Sequence, residues 1–294
     1  MLEETSSIDG VLVVDKPAGW TSHDVVNKIR RIAGTKKVGH LGTLDPMATG
    51  VLPLVVGRAT RLAQFYTRAA KSYEGTIRFG WATDTYDAEG EPVGERREPM
   101  FTLVQLEEWV ARFRGRFEQT PPPVSAKKIG GTPAYKLARK NIAVEIPAVE
   151  VEVTRFDIVE FAPPAVRFEI DCGAGTYVRS IAHDLGALAG CGAHLAGLRR
   201  TRSGDFTIAQ ARTIEEIEKH VGGALVPTGE MLLELPAVRV DDLTASQVRQ
   251  GRDFRSSPFQ PVTGKLARAI ARDGSLVAVG ELRLPGVYHP IVVL

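Results

Sequence analysis

Gly39-His40-Leu41-Gly42-Thr43-Leu44-Asp45-Pro46-Met47-Ala48-Thr49-Gly50, followed by the apolar run Val51-Leu52-Pro53-Leu54-Val55-Val56, decides how this 294-residue chain is read. From Lys36 to Gly50 the chain has no helical or strand period and is dense in Gly, Thr and Pro, which predicts a long loop. Its glycines let the backbone turn sharply or come close to another molecule. Asp45 precedes Pro46, which biases its backbone toward an extended conformation and so limits where its carboxylate points. It is the only acid between Asp24 and Glu74. A lone carboxylate among bases is expected to stay ionised with a lowered pKa, a suitable state for a carboxylate nucleophile. Asp-Pro is also a common turn starter, and these features alone leave that simpler reading standing.

Upstream, Gly10–Val14 reads as a short buried strand ended by Asp15-Lys16-Pro17. Ser22 is the expected N-cap of a helix in which Val25, Val26, Ile29 and Ile32 repeat with helical period, closed by Gly34. Downstream, 51–57 reads as an apolar strand interrupted by Pro53, and 58–69 as a short helix. Lys71–Gly80 reads as a strand, and Leu103, Leu106, Trp109, Val110 and Phe113 mark a second amphipathic helix. Gln119 to Tyr135 is rich in Pro and Gly and longer than an ordinary connection. Two alternating strands then precede a helix from about Tyr177 to Ala189. From about Leu235 onward short strands alternate with Gly turns, which predicts a small β-rich domain. The fold class expected is α/β of the α+β type, a mixed and largely antiparallel sheet flanked by helices, because the strands are joined as hairpins.

Cys172 and Cys191 form no CxxC pair, so neither a disulfide framework nor a structural zinc site is expected, and a reducing cytoplasm is the natural compartment. No signal peptide and no apolar run of membrane-spanning length is visible. Net charge is only +2, but it is unevenly spread. Thr21 to Lys71 holds nine Lys or Arg against two acids, and Arg249 to Arg272 holds six against one. Two separated basic zones suggest an extended polyanion partner; solvated helix faces are the plain alternative.

The stretch 39–62 resembles the catalytic motif of the TruB family of tRNA pseudouridine synthases. Four further segments resemble the same family in the same order: Asp15-Lys16-Pro17 with a Ser at the helix start, KSYEGTIRFGWATDTYDAEG from Lys71, PPPVSAKKIGGTPAYKLAR from Pro121, and GTYVRSIAHDLG from Gly175 with GLRRTRSGDF from Gly197. Together they span Asp15 to Phe206, about two thirds of the chain. Leu41, Phe79 and Ala174 depart from the family's usual residues; the Asp, Tyr and Arg positions do not.

The resemblance implies a pseudouridine synthase sheet over 1–233 and a small β-barrel, PUA-like RNA-binding domain over 234–294. It implies Asp45 as the nucleophile that lets uracil detach, rotate and rejoin through C5. Whether the carboxylate attacks C6 or C1′ or supports a glycal is left open. Tyr73 matches the active-site tyrosine, able to stack on a flipped uracil and assist proton removal. Arg179 matches the arginine that holds the catalytic Asp in a fixed fork. His40 matches a histidine that fills the space of the flipped base, and Lys16 a lysine supporting the fold nearby. Lys28, Arg30, Arg31, Lys36, Lys37, Arg199, Arg200 and Arg202 are the expected phosphate contacts, with Leu198 on the apolar wall of the base pocket. The implied partner is the tRNA T-arm, with the T-loop uridine as target, no guide RNA, no cofactor and no metal, acting as a monomer. Three rivals stand beside this reading. One is a tRNA-folding chaperone without chemistry, one a guide-dependent relative, and one a hydrolase using Asp45 with His40.

Overall fold

The structure, a computed structural model, describes residues 8–124, 128–129, 132–133, 146–257, 259 and 261–294. Its larger sheet is built from β1 (Gly10–Lys16), β2 (Val38–His40), β3 (Thr49–Val56), β4 (Lys71–Phe79), β7 (Gly115–Gln119), β10 (Val149–Ala162), β11 (Ala165–Cys172), β12 (Ala193–Ser203), β13 (Phe206–Thr207) and β14 (Leu225–Pro227). Two small hairpins stand apart from it: β5 (Ala82–Thr83) with β6 (Pro92–Val93), and β8 (Lys128–Ile129) with β9 (Thr132–Pro133). The strand order is β14-β1-β3-β12-β4-β11-β10-β7, with β2 on β3 and β13 on β12. Within this sheet only β3 and β12 run parallel, so the expected mixed, largely antiparallel α+β sheet is what the chain forms.

The helices are α1 (Ser22–Ile32), α2 (Leu103–Ala111), α3 (Val178–Leu188), α4 (Ile214–Lys219) and α5 (Asp242–Arg249). A second, five-stranded sheet follows, ordered β15 (Ala237–Arg239), β17 (Leu266–Ile270), β18 (Leu276–Leu284), β19 (Val287–Val293), β16 (Phe254–Arg255). It curls around its own apolar core of Val238, Val248, Phe254, Ala267, Val277 and Tyr288.

The sheet's two halves differ in what covers them. In β1 and β3 alternate residues enter two cores. Leu12, Val14, Leu52 and Leu54 face the core that includes α1, while Val11, Val13, Val51 and Val55 face the 3₁₀ helix at Gly57–Tyr66 and the second sheet. Burial on both faces is why 51–56 reads as an unbroken apolar run rather than an alternation. In β4 only Tyr73, Ile77 and Phe79 point inward, against α2 and α3. Glu74, Thr76 and Arg78, on the other face, are more exposed.

Several local expectations are corrected. Thr21, not Ser22, caps α1, in a reciprocal box with Asp24; Ser22 is buried and its hydroxyl serves the loop at Leu44 instead. The loop from Lys36 is shorter than expected, because Val38–His40 pairs with the end of β3 and Thr49 and Gly50 already belong to it. Pro53 does not interrupt β3: it lies opposite Val13, and its carbonyl accepts the Leu41 N–H on the far side from β1. The missing N–H therefore costs β1 no bond. The segment 57–66 is helical, but 3₁₀. Of the expected Pro- and Gly-rich loop from Gln119 to Tyr135, residues 125–127, 130–131 and 134–135 lie outside the described residues. Among the described residues no helix is long and apolar enough to cross a membrane.

Candidate active site

Asp45 sits in the loop between β2 and β3, beside the one parallel seam of the sheet. At that seam Gly50, with φ +95°, lies against the backbone of Arg200; a Cβ there would come within 2.3 Å of the Arg200 carbonyl oxygen. The loop is pinned on both sides of the aspartate. Ser22 Oγ donates to the Leu44 carbonyl at 3.0 Å and accepts the Leu44 N–H at 2.8 Å. Lys16 Nζ donates to the carbonyls of Pro17, Trp20 and Pro46 at 2.9, 2.6 and 3.0 Å. Arg200 donates to the carbonyls of Gly42, Thr43 and Val51 at 3.1, 3.3 and 2.7 Å. Lys16 and Arg200 are both fully buried. Burial pulls the Lys16 ammonium down to about 8.

The carboxylate meets Arg179, at the start of α3. Arg179 Nε lies 2.9 Å from Asp45 Oδ2, and a terminal nitrogen donates to Oδ1 at 3.2 Å. The other terminal nitrogen lies 3.3 Å from Asp87 Oδ2 and donates to the Thr85 carbonyl at 3.0 Å. Val124 O accepts the last bond, at 2.9 Å. A cation in a helix's first turn opposes the helix dipole; here two carboxylates offset that. Asp87 is itself buried and accepts from Thr85 Oγ1 and the Glu89 N–H at 2.6 and 3.1 Å. Asp45 is therefore not the lone carboxylate the sequence suggested, and its pKa is not lowered. Burial raises it, Arg179 opposes the rise, and Asp87 adds to it. Asp87 was missed because its neighbours in sequence are unremarkable turn residues.

Asp45 opens onto a recess of about 290 Å³. That is near the lower end of the usual range for small-molecule sites, ~300–1,000 Å³, and suits one planar base. Tyr73 and Leu198 line it together with Lys71, Thr67, Thr43 and the loop Ala174–Val178. The Tyr73 hydroxyl is within hydrogen-bonding reach of Arg200, and burial pushes its pKa up to about 12. The Tyr177 backbone is held at both its N–H and its carbonyl by the Gln119 amide, at 2.8 and 3.0 Å. The structure thus brings Asp45, Tyr73, Arg179 and Leu198 to one recess. His40 is adjacent: its Nδ1 accepts the Gly42 N–H at 3.3 Å, and burial, then Arg200, lower its pKa.

The basic residues part ways. Arg31, Lys36 and Lys37 are exposed at the end of α1 and in the turn after it. Lys28 pairs with Glu218 at 2.7 Å, and Arg30 donates to Asn27 Oδ1 and the Val38 carbonyl. Arg199 forks onto Asp15 at 2.8 and 3.0 Å, Arg202 donates to Ser72 Oγ at 3.1 Å, and Arg200 is internal. In the C-terminal basic zone Arg268 is buried on the carbonyls of Leu235, Gly229 and Met231. Such engagement depends on three-dimensional neighbours, which charge counting does not see.

α3 also carries a testable cost. Burial pushes the Asp184 carboxyl up to about 6 from an ordinary 3.8. The folded chain therefore binds this proton more tightly than the unfolded one. Below about pH 4 the penalty is absent; it grows as pH rises to about 6 and is full above that. Asp184→Asn should stabilise the protein by about 2 kcal/mol at pH 7.5, with the gain vanishing below pH 4. Thermal melts across pH check this; a gain independent of pH would contradict it.

Comparison with known proteins assigns the chain to a family. Residues 30–178 match the family model for the N-terminal domain of TruB family pseudouridylate synthases, and 179–225 match that for the tRNA pseudouridylate synthase B C-terminal domain. The chain is 56% identical to tRNA pseudouridine synthase B of Solibacter usitatus (strain Ellin6076), over 98% of this chain and 100% of that one. It is 42% identical to the protein of the same name from Thermobifida fusca (strain YX), over 97% and 98% of the two chains. A chain in the crystal structure of a Cbf5-Nop10-Gar1 complex superposes with a TM-score of 0.71 at 28% identity, covering 95% of this chain and 80% of that one. The protein belongs to the TruB family of pseudouridylate synthases, and as such it is an isomerase.

Proposed function

We propose that this protein converts the T-loop uridine of tRNA, position 55 in tRNA numbering, to pseudouridine, with Asp45 as nucleophile. The observation that carries the reading is the Asp45 carboxylate held by the Arg179 fork at the mouth of a base-sized recess. The relatives' shared name supports tRNA as the substrate.

The reaction breaks the N1–C1′ bond and forms C5–C1′; C5 loses a proton and N1 gains one, so no electrons leave the substrate. The target base must first leave its stack, at a cost of a few kcal/mol. Tyr73 offers its ring to the flipped base, and Leu198 closes the apolar side. With its pKa near 12 the Tyr73 phenol stays protonated at neutral pH. It therefore donates or relays a proton and does not act as a standing phenolate base. Arg179 keeps Asp45 anionic against burial and fixes its direction of attack. The chain works without guide RNA, as a cytoplasmic monomer, with 1–233 supplying catalysis and the PUA-like 234–294 gripping RNA.

Tritium release from a tRNA transcript labelled at uridine C5 tests this reading, with release expected from the T-loop position alone. Tight tRNA binding without release would favour the folding-chaperone reading instead.

Exposed cations should position the RNA without reading its sequence. Lys36→Ala with Lys37→Ala is expected to weaken tRNA binding and reduce the slope of log affinity against log salt by about 1–2. Filter binding at several salt concentrations measures it, and an unchanged slope would move the RNA surface elsewhere.

A further inference from the structure

Lys71 opens β4 two residues before Tyr73 and lines the same recess as Asp45. Among the described residues its Nζ donates one hydrogen bond, to the Ala69 carbonyl at 2.7 Å, which leaves the ammonium's other donors for a ligand. Gly42 is squeezed between two cations: a Cβ on it would lie 3.3 Å from Lys71 Cε and 3.6 Å from an Arg200 terminal nitrogen. No carboxylate among the described residues forms an ion pair with either cation. Burial, then Arg200, lower the Lys71 pKa, as expected of an ammonium without a counter-charge. The nearby Cys172 thiol is pushed up to about 11 by burial and stays neutral at pH 7.

The other cation at the recess is already spent. Arg179 faces two carboxylates and two carbonyls. One end of the recess thus sets a single guanidinium against two carboxylates, while the Lys71 end carries uncompensated positive charge. Uracil is neutral and does not call for that charge. A nucleotide swung into the recess brings its own phosphodiester, which does. Desolvated positive charge facing a single phosphate is worth more than the same charge on the open surface.

We propose that Lys71, backed by the buried Arg200 across Gly42, is the binding site for the phosphodiester flanking the flipped uridine. It anchors the backbone on one side of the recess while Asp45 meets the nucleoside on the other. This rests on the recess being the uridine site. The sequence counted Lys71 only as the last base of its first basic zone, without a role of its own; its approach to Gly42 and Arg200 is made only by the fold.

The test uses the full-length protein and a T-arm stem–loop RNA carrying single methylphosphonates, which are uncharged, at each phosphate around the target. Lys71→Gln should lower kcat/KM by about 10- to 100-fold, the worth of one hydrogen bond to a charged group. A methylphosphonate at one of the two phosphates flanking the target should cost the wild type a similar factor. The same substitution should cost Lys71→Gln little more, so the two losses do not multiply; Lys71→Arg should restore much of the activity. Losses that multiply at every phosphate, or full activity in Lys71→Gln, would overturn the proposal. If Lys71→Gln fails to fold, the wild-type methylphosphonate scan and Lys71→Arg still decide, since an absent flanking-phosphate effect overturns it. Wild type that forms no pseudouridine in unmodified RNA would instead sink the underlying reading, a distinguishable result.

Discussion

Asp45→Asn is expected to reduce pseudouridine formation by about four orders of magnitude or more while leaving tRNA affinity within about twofold. The amide keeps the size and the extended backbone before Pro46, but it cannot form or support a covalent or ionic intermediate. Its loop is held by Ser22, Lys16 and Arg200 through backbone atoms, none of which the substitution touches. The sign of the stability change follows from the raised carboxyl. A folded-state pKa above the unfolded one means that ionised Asp45 costs stability above its folded value and costs nothing below the unfolded one. The asparagine should therefore not lower the melting temperature at neutral pH. The same raised carboxyl should place an acid limb in the wild-type log kcat/KM profile above the ordinary aspartate range. Single-turnover tritium release, with melts alongside, checks all three; residual turnover near wild type would remove Asp45 as nucleophile.

Arg179→Lys should slow the chemical step by about 10²–10³-fold with tRNA binding nearly unchanged. One guanidinium serves Asp45, Asp87, Thr85 and Val124 at once. A lysine keeps the charge but lacks the planar fork, so it cannot hold Asp45 by two atoms and Asp87 by a third. Arg179→Ala goes further, because it leaves the buried Asp87 and the half-buried Asp45 near one another without their shared cation. That should cost about 3 kcal/mol, roughly 6–12 °C in melting temperature, besides the lost activity. Single-turnover rates and thermal melts separate the two substitutions. A lysine variant as fast as wild type would reduce Arg179 to a neutralising charge.

How far the site was legible depended on whether its residues announce themselves locally. Asp45 did in part, because Gly, Thr and Pro crowd its loop, but an Asp-Pro turn fits there as well without the surrounding motif. Arg179 did in part, as a cation misplaced in a helix's first turn. Tyr73 is only a strand tyrosine without the neighbouring motif. Asp87 and Gln119 gave no signal of their own, and Lys71 only that of one base among nine, since what distinguishes each is a partner far away in sequence: Arg179, Tyr177 and Gly42. Arg200 misled for the converse reason. Beside Arg199 and near Arg202 it reads as part of a basic surface, yet it is buried on three loop carbonyls.

By itself the sequence determined the strands and helices with clear period, the family through five ordered motifs, and the loop aspartate as a candidate. These are carried by local patterning, which is written into neighbouring residues. Only the tertiary structure decided which charges meet. It set Asp87 behind Arg179 and raised the Asp45 carboxyl where an isolated loop would have lowered it. It also turned Lys16 and Arg200 inward and left Lys71 without a counter-charge. Desolvation and Coulomb terms depend on distance in space and on exclusion of water, and neither is fixed until the sheet closes around the loop.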